Sequence, residues 1–503
     1  MSYKVTLYEP FGLHLQLFET TLEIAQKHLD KGDLVTIITC DGILPICEIN
    51  RKKSLTVCAR CISRRKNGLQ LLNPKPDITS INSFYKAKDR NKARSLRTNF
   101  ESIEDLKSYK LENFSIGTGV YSSLLDRAQN HQPVLSHYQN EIRDSILSSF
   151  FVFASFDNYL KEMKPDLVYL FNGRHATGRP VLDACRLNKT DFRTYEYHYY
   201  QNQYKVFNNT QPHDFLYRVQ RANDLWNDSR VDQKSKEKIG SSFFKRDETN
   251  NLMTRDITKS QKKKLLPHNW DIKKHNIVFF TNSEFESYAA FEFKEESVYE
   301  DHFLGIKAIL NSLQEIPHNL HIYIRLHPFL SSAPKAKDEV LQYNKITLPY
   351  VTIIRPDDPV ESSELLKQAD KIVTYISSIS MEAVFHKKPT ILLSKHFTAF
   401  MGGCYLPNTH GEVMNLLLEK NLPALDSKGA LKFGYYWENC GEKYKFYVNK
   451  SIEDGLFKNV KVDVSPFVEN VLLKNYHRPK LNKFRKFLEF LFKIICKKYI
   501  TGF

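Results

Sequence analysis

Short apolar runs of strand length alternate with segments at helical spacing, and they do so in two separate series. No other feature restricts the fold of this chain as strongly. In the first series, residues 4–8 and 34–39 read as buried strands. Between them FETTLEIAQKHLDKG keeps a helical spacing that stops at Gly32. Strand, helix and strand in so short a stretch predict a parallel βαβ unit. Residues 167–171 and 193–197 repeat the strand pattern around the helical RPVLDACRLN. The second series holds strand-like runs at 277–281, 321–325, 351–354, 372–375 and 390–393, separated by helical segments such as SELLKQAD and SMEAVFHKK.

Residues 228–268 break the pattern. They are rich in Lys, Asp, Ser and Asn and poor in apolar runs, which reads as surface helix and linker. The expectation is an α/β chain of two doubly wound, Rossmann-like lobes with a cleft between them. The N-terminal lobe spans 1–230, a linker 231–270 and the C-terminal lobe 271–425. Residues 426–475 return to the first lobe, and 476–503 form a terminal helix. Ligands of such sheets bind outside the carboxyl ends of the strands. The 503 residues suffice for two cores of ordinary size.

The net charge of +16 favours anionic partners: nucleic acid, acidic lipid or phosphorylated substrates. The chain has no zinc-finger array, RNA-recognition signature or arginine-rich arm, so nucleic acid is set aside. Its start runs straight into KVTLY, without the charged and apolar regions of a signal peptide, and no run of about 18 apolar residues occurs. A cytoplasmic protein is expected. In the tail PKLNKFRKFLEFLFKIICKKYITGF, Phe484, Phe487, Leu488, Leu491 and Ile495 share one helical face. Lys483, Arg485, Lys486, Lys493, Lys497 and Lys498 supply charge beside the single acid Glu489. This pattern predicts a basic amphipathic helix that lies on an anionic membrane face; a terminal helix packed on the body is the alternative.

The densest chemistry lies in the second half. HIYIRLHP delivers Arg325, His327 and Pro328 at a strand end, where Arg and His suit a phosphate. After the run at 372–375 come Ser377, Ser378 and Ser380, then a helix with Glu382 in its first turn. Small hydroxyl residues at a strand-to-helix turn let backbone N–H groups meet a phosphate, and Glu382 is placed for a ribose hydroxyl. In the first half, YLFNGRH sets Asn172, Gly173, Arg174 and His175 after a strand, with Arg174 as the candidate for a substrate phosphate or carboxylate. Glu9 and His14 follow the first strand, Asp41 the second, and Glu196 ends another. Each is a candidate base for deprotonating an acceptor hydroxyl, each taken alone reads first as structural, and the sequence does not rank them.

Cys40, Cys47, Cys58 and Cys61 lie in one segment as C-x6-C-x10-C-x2-C. Four thiolates are a full tetrahedral set for structural zinc, although the first pair lacks knuckle spacing. An iron–sulfur cluster or buried free thiols are the other readings. Neither a phosphate-binding P-loop nor a G-x-G-x-x-G fingerprint occurs. The IGTG at 116–119 reads as a tight turn, and the aspartates of DDP at 357–359 as caps.

RLHP followed by ADKIVTYISSISMEAVFHKKPTIL resembles the C-terminal lobe of bacterial capsule and lipopolysaccharide glycosyltransferases of the GT-B fold. It is similar in particular to those using CMP-activated sugars, the capsule Kdo transferases and bacterial sialyltransferases. The resemblance covers 277–407 well and the rest loosely. It implies that His327, Ser377 and Ser378 contact the donor phosphate and Glu382 its ribose. FFTNSEFES resembles the family's strand-then-serine segment and places Ser283 and Glu284 near the donor. The implied activity moves a sugar from a CMP-sugar such as CMP-Kdo, or a UDP-sugar, to a surface polysaccharide or lipid-linked acceptor at the inner membrane face. Arg325, His327 and the helix start after Ser378 would carry the leaving phosphate's charge, so no cofactor is expected for transfer and zinc only as a structural ion. A CDP-polyol phosphotransferase of teichoic-acid type has similar motifs, and a non-catalytic assembly factor is a third reading.

Overall fold

The structure, a computed structural model, describes residues 2–198, 202–245, 260–290, 292, 296–316, 319–333, 335–451, 454–466 and 468–469. The chain divides into two compact units. The first comprises 1–127, 132–212 and 441–503, the second 128–131 and 213–440.

The first unit is built on strands β1 (Lys4–Glu9), β2 (Leu34–Thr39), β3 (Asp77–Ser80), β4 (Leu167–Phe171), β5 (Asp191–Tyr197) and β6 (Gln203–Asn208). β1 is central: Val5 pairs with Val35 of β2 on one side and Leu167 of β4 on the other, both parallel. β3 and β5 extend the parallel sheet and β6 closes one side antiparallel. A strand flanked and covered on both sides reads as a continuous apolar run, and residues 5–9 are buried without alternation. The helix Leu17–Asp30 lays Phe18, Leu22, Ala25 and Leu29 on that sheet. It also buries two acids. Glu19 pairs with Arg64, and Glu23 accepts from the backbone N–H groups of Lys445 (2.7 Å), Phe446 (2.8 Å) and Tyr447 (3.0 Å).

The second unit contains β7 (His275–Phe280), β8 (Glu296–Ser297), β9 (Leu320–Arg325), β10 (Val351–Ile354), β11 (Lys371–Thr374), β12 (Thr390–Leu392) and β13 (Ser394–Lys395). Five of these form a parallel sheet in the order β10-β9-β7-β11-β12, and β8 pairs with β13 apart from it. Ile277, Phe279, Ile322 and Ile324 face the helix His302–Gln314. Val278, Phe280, Tyr323 and Ile372 face the helix Ser362–Gln368. Each unit is thus a Rossmann-like α/β lobe, and the expected class is the class observed.

After the second unit the chain adds β14 (Glu442–Lys443), antiparallel to β6, and the hairpin β15 (Tyr447–Ser451) and β16 (Asp454–Phe457). The unit borders differ from those expected. The helices Phe215–Asn227 and Gln233–Lys245 belong to the second unit, as does Lys428–Asn439. The polar stretch from 228, read as surface helix and linker, holds the helix Gln233–Lys245, which packs against Lys428–Asn439. The reason is a pair of glycines: a Cβ on Gly240 would run into the carbonyl of Leu431, and one on Gly434 into the carbonyl of Gly240, so the two helices meet backbone to backbone. The IGTG segment also differs, opening the helix Ile116–Ala128 instead of forming a tight turn. A Cβ on its Gly117 would strike the carbonyl of Leu106. The expected terminal helix at 476–503 lies outside the described residues. Among those described, no helix is long and apolar enough to cross a membrane.

Candidate functional site

In the second unit the chain runs from β7 outward through β9 and β10, then returns to start β11 on the other side of β7. That reversal puts a switch point at the carboxyl end of β7, where open α/β sheets hold their ligands. Three pairs of sequence candidates follow three adjacent strands there: Ser283 and Glu284 after β7, His327 and Pro328 after β9, Ser377 and Ser378 after β11.

His327 is fixed by its neighbours. Its backbone N–H donates to Thr281 Oγ1 at 3.0 Å, and its Nδ1 accepts from the Phe329 N–H at 3.3 Å. An acceptor Nδ1 leaves the proton on Nε2 in the neutral ring. Burial, helped by the Arg325 charge, pulls His327 down to about 4. The ring is therefore a neutral Nε2–H donor at physiological pH. Pro328 opens the short 3-10 helix Pro328–Ser332, where its missing N–H costs nothing.

Arg325, expected to bind phosphate, is engaged within the fold. Its side chain is 1% exposed and donates to the carbonyls of Arg355 (2.6 Å) and Asp358 (3.5 Å). Burial pulls the guanidinium down to about 10 against the carboxylates of Asp358 and Asp357. It braces the turn after β10. Asp358 caps within that turn, its Oδ1 accepting from the Val360 N–H at 3.0 Å, while the helix Ser362–Gln368 starts after Glu361.

Ser378 is exposed at the start of the helix Ile379–Phe385 and makes no side-chain cap. Ser377 Oγ accepts from the Ile379 N–H at 3.3 Å, and Glu382 is half-buried in the first turn. Ser283 is buried, and its hydroxyl has no hydrogen-bond partner.

Around Glu284 the structure assembles groups the sequence did not bring together. Glu284 is 1% exposed, with His131 Nδ1 at 3.2 Å and His302 Nδ1 at 3.7 Å. Asp301 Oδ2 lies 3.7 Å from His131 Nε2, while its Oδ1 caps the helix His302–Gln314 at the Leu304 N–H (2.7 Å). His302 stacks on Tyr375 at 3.7 Å between centroids. Burial pushes Glu284 up to about 7 and Glu339 up to about 8, the latter helped by Glu284 itself. His131 and Glu339 follow no strand end and Asp301 follows only the two-residue β8, so the motif logic that found Glu284 passed them by.

The first-unit candidates also gather at one edge, the carboxyl ends of β1, β2, β4 and β5. Their environments separate them. Glu9 is buried and accepts from the Phe11 N–H (2.7 Å) and the Thr21 hydroxyl (2.5 Å), and burial pushes it up against those bonds. It ties the strand end to the next helix. Asp41 meets Arg65 at 3.2 Å and lines a cavity of about 340 Å³ with Lys66 and Lys75. His14 is exposed, with Nδ1 at 3.0 Å from the Leu15 carbonyl. Glu196 is half-buried, accepts from Asn172 Nδ2 at 2.7 Å, and is pushed up by burial.

Asn172 and Gly173 both take positive φ (53° and 84°), which turns the chain sharply after β4. Arg174, expected to bind substrate, is already engaged: it donates to Ser122 Oγ (2.8 Å) and Asp126 Oδ2 (2.7 Å). His175 Nε2 meets the same Oδ2 at 2.8 Å.

The cysteine set does not close on a metal. Cys58 and Cys61 sit on the helix Leu55–Leu69, where Cys58 Sγ accepts from Asn50 Nδ2 (3.0 Å) and Cys61 Sγ lies 3.8 Å from the Pro10 carbonyl. Cys47 Sγ accepts from the Asn50 N–H at 3.3 Å, and Cys40 is buried. Among the described residues, the one group of three or more metal-ligating side chains whose donor atoms converge is His131, Glu284 and Asp301.

Residues 257–405 match the model of the capsule polysaccharide biosynthesis protein family, the family the sequence resembles. No curated protein matches the chain. Two solved structures from Thermosulfurimonas dismutans are similar: KpsC, beta Kdo 2,4 transferase (14% identity, 53% of this chain and 78% of that one, TM-score 0.33) and KpsC, beta Kdo 2,7 transferase (13%, 64% and 89%, TM-score 0.34). A Methanocaldococcus jannaschii UDP-GlcNAc 2-epimerase in complex with UDP-GlcNAc and UDP is similar at 13% identity over 86% of this chain and 98% of that one, TM-score 0.28. All three likenesses are loose.

Proposed function

Starting from the capsule polysaccharide biosynthesis segment at 257–405, we infer that this protein is a glycosyltransferase that moves a sugar from a nucleotide-activated donor to a capsule or related surface polysaccharide. The donor sits at the loops after β7, β9 and β11, and a CMP-sugar such as CMP-Kdo is the favoured donor on the strength of the serine-pair and HP motifs. The observation that carries the reading is His327. A neutral imidazole held with Nε2 as its N–H, at a strand end beside the switch point, is suited to donate to a phosphate oxygen as the sugar–phosphate bond breaks. Ser377 and Ser378 supply hydroxyls at the neighbouring strand end.

Of the four acceptor-side candidates, Glu196 fits a base best. It is half-buried at the carboxyl edge, oriented by Asn172, and burial raises its proton affinity. Glu9 is occupied by Thr21 and Phe11, and Asp41 by Arg65. The basic tail of the sequence supports a position on the inner membrane face, where lipid-linked acceptors lie.

Thermal unfolding with CMP, CDP, UDP, GDP and ADP in turn tests the donor. A nucleotide at a hundred times its Kd adds about 2.7 kcal/mol of apparent stability. Selective stabilisation by a cytidine nucleotide, absent in His327→Ala, is the expected result. Stabilisation by UDP alone would overturn the CMP assignment, and no response to any nucleotide would overturn the transferase reading.

A further inference from the structure

We propose that His131, Glu284 and Asp301 form a binding site for one divalent first-row transition-metal ion in the second unit. Each offers one ligand atom, and the three atoms lie within 4.8 Å of one another. An ion with ligand bonds of about 2.0–2.2 Å holds its donors roughly 3–4 Å apart. Small side-chain rotations therefore suffice to close the set. The donors are one imidazole and two carboxylates, a mixture that suits Mn²⁺, Co²⁺ or Zn²⁺ better than the all-oxygen shells of Ca²⁺ and Mg²⁺.

Two further observations point to an ion. Glu284 is 1% exposed, and its carboxylate oxygens lie beside His131 Nδ1 (3.2 Å) and His302 Nδ1 (3.7 Å) without a well-formed hydrogen bond to either. Buried carboxylates are ordinarily paired or metal-bound. Independently, the His302 side chain is 6% exposed, its Nδ1 has no partner, and that atom aims at Glu284 Oε1 from 3.7 Å. It lies beside the three-residue set, at Glu284. The charge balance agrees: three carboxylates, with Glu339 Oε1 3.5 Å from the Glu284 N–H, stand around the two imidazoles of His131 and His302. A bound dication would join the loop after β7 to the start of the helix His302–Gln314 and to the 128–131 segment, fixing Ser283 and Glu284 at the switch point. This site stands whether or not the protein binds a nucleotide.

The test uses the full chain stripped with EDTA and then dialysed against Mn²⁺, Co²⁺ or Zn²⁺ separately, with bound metal counted by mass spectrometry. One equivalent per chain is expected for at least one ion, together with a rise in Tm and, for Co²⁺, d–d absorption bands of nitrogen and oxygen ligation. His131→Ala and Glu284→Gln should each weaken binding at least tenfold. Asp301→Asn guards against misfolding, because Asn caps a helix as well as Asp while losing the charge; it should retain the fold and lose affinity. Absence of stoichiometric metal on the wild-type chain overturns the proposal, as does binding that survives in folded Asp301→Asn and His131→Ala.

Discussion

His327 Nδ1 accepts a hydrogen bond from the backbone N–H of Phe329, 3.3 Å away. This contact selects the tautomer, and burial keeps the ring uncharged down to about pH 4. Two expectations follow for nucleotide binding. His327→Ala should weaken it by about 1.5–3 kcal/mol, roughly ten- to a hundredfold, as for a hydrogen bond to a charged group. Affinity of the wild type, measured by titration calorimetry, should stay flat from pH 8 to pH 5.5. A rise in affinity as pH falls through 6.5 would mean that an imidazolium binds the phosphate, and would discard the neutral-donor account.

Arg325→Lys separates bracing from binding. A lysine cannot reproduce the forked donation to the carbonyls of Arg355 and Asp358. The substitution should lower the urea midpoint by an amount equivalent to about 2–3 kcal/mol, since buried acceptors are left short of partners. Nucleotide affinity of the folded variant should stay within about threefold, because one such unit of affinity is under 1 kcal/mol. A large affinity loss with unchanged stability would restore the phosphate role.

Asp126 carries the acid sensitivity of the first unit. Burial alone would raise its carboxyl, but Arg174 and His175 outweigh it and hold the group well below the usual carboxylate range. A depressed folded-state value stabilises above the unfolded value near pH 4, and that stability is lost as pH falls further. Asp126→Asn should therefore cost about 2 kcal/mol at pH 7, less than a fully buried pair because both partners are partly exposed. The difference from wild type should shrink steadily as pH falls below about 4. Arg174→Ala should behave alike in chemical denaturation and leave substrate KM unmoved.

The strand framework was legible because the central strands of both sheets are parallel and covered on two faces, so β4 and the last four residues of β7 stand in the sequence as unbroken apolar runs. The strand-end motifs after β7, β9 and β11 followed from that. What each side chain does there was not legible. Whether Arg325 or Arg174 faces a ligand depends on acceptors far along the chain, Asp358 for one and Asp126 for the other. The cysteine spacing suggested a metal, while the convergent donors proved to be His131, Glu284 and Asp301, which are far apart in the chain and share no motif. That the helix Gln233–Lys245 packs on Lys428–Asn439 was not legible, because Gly240 and Gly434 mark a helix contact only once the two helices are placed together.

That glycine pair makes the sharpest stability prediction. Gly434 lies on the helix Lys428–Asn439 and Gly240 on Gln233–Lys245; at each, the atoms in the way of a Cβ are backbone carbonyls. A backbone atom cannot swing aside as a side-chain tip can, so the helices must separate. Separation would loosen Phe243, Phe244 and Phe433, which pack in the same cluster. Gly434→Ala should thus cost about 3 kcal/mol, the upper end of overpacking penalties. Gly411→Ala is the matched control: it sits at the start of the helix His410–Leu418 with nothing nearer a Cβ than Thr409 Oγ1 at 4.0 Å. It should gain up to about 1 kcal/mol from helix propensity. Urea unfolding of the two variants beside the wild type decides the matter. Equal midpoints for Gly434→Ala and the wild type would mean that the helices do not meet at these glycines.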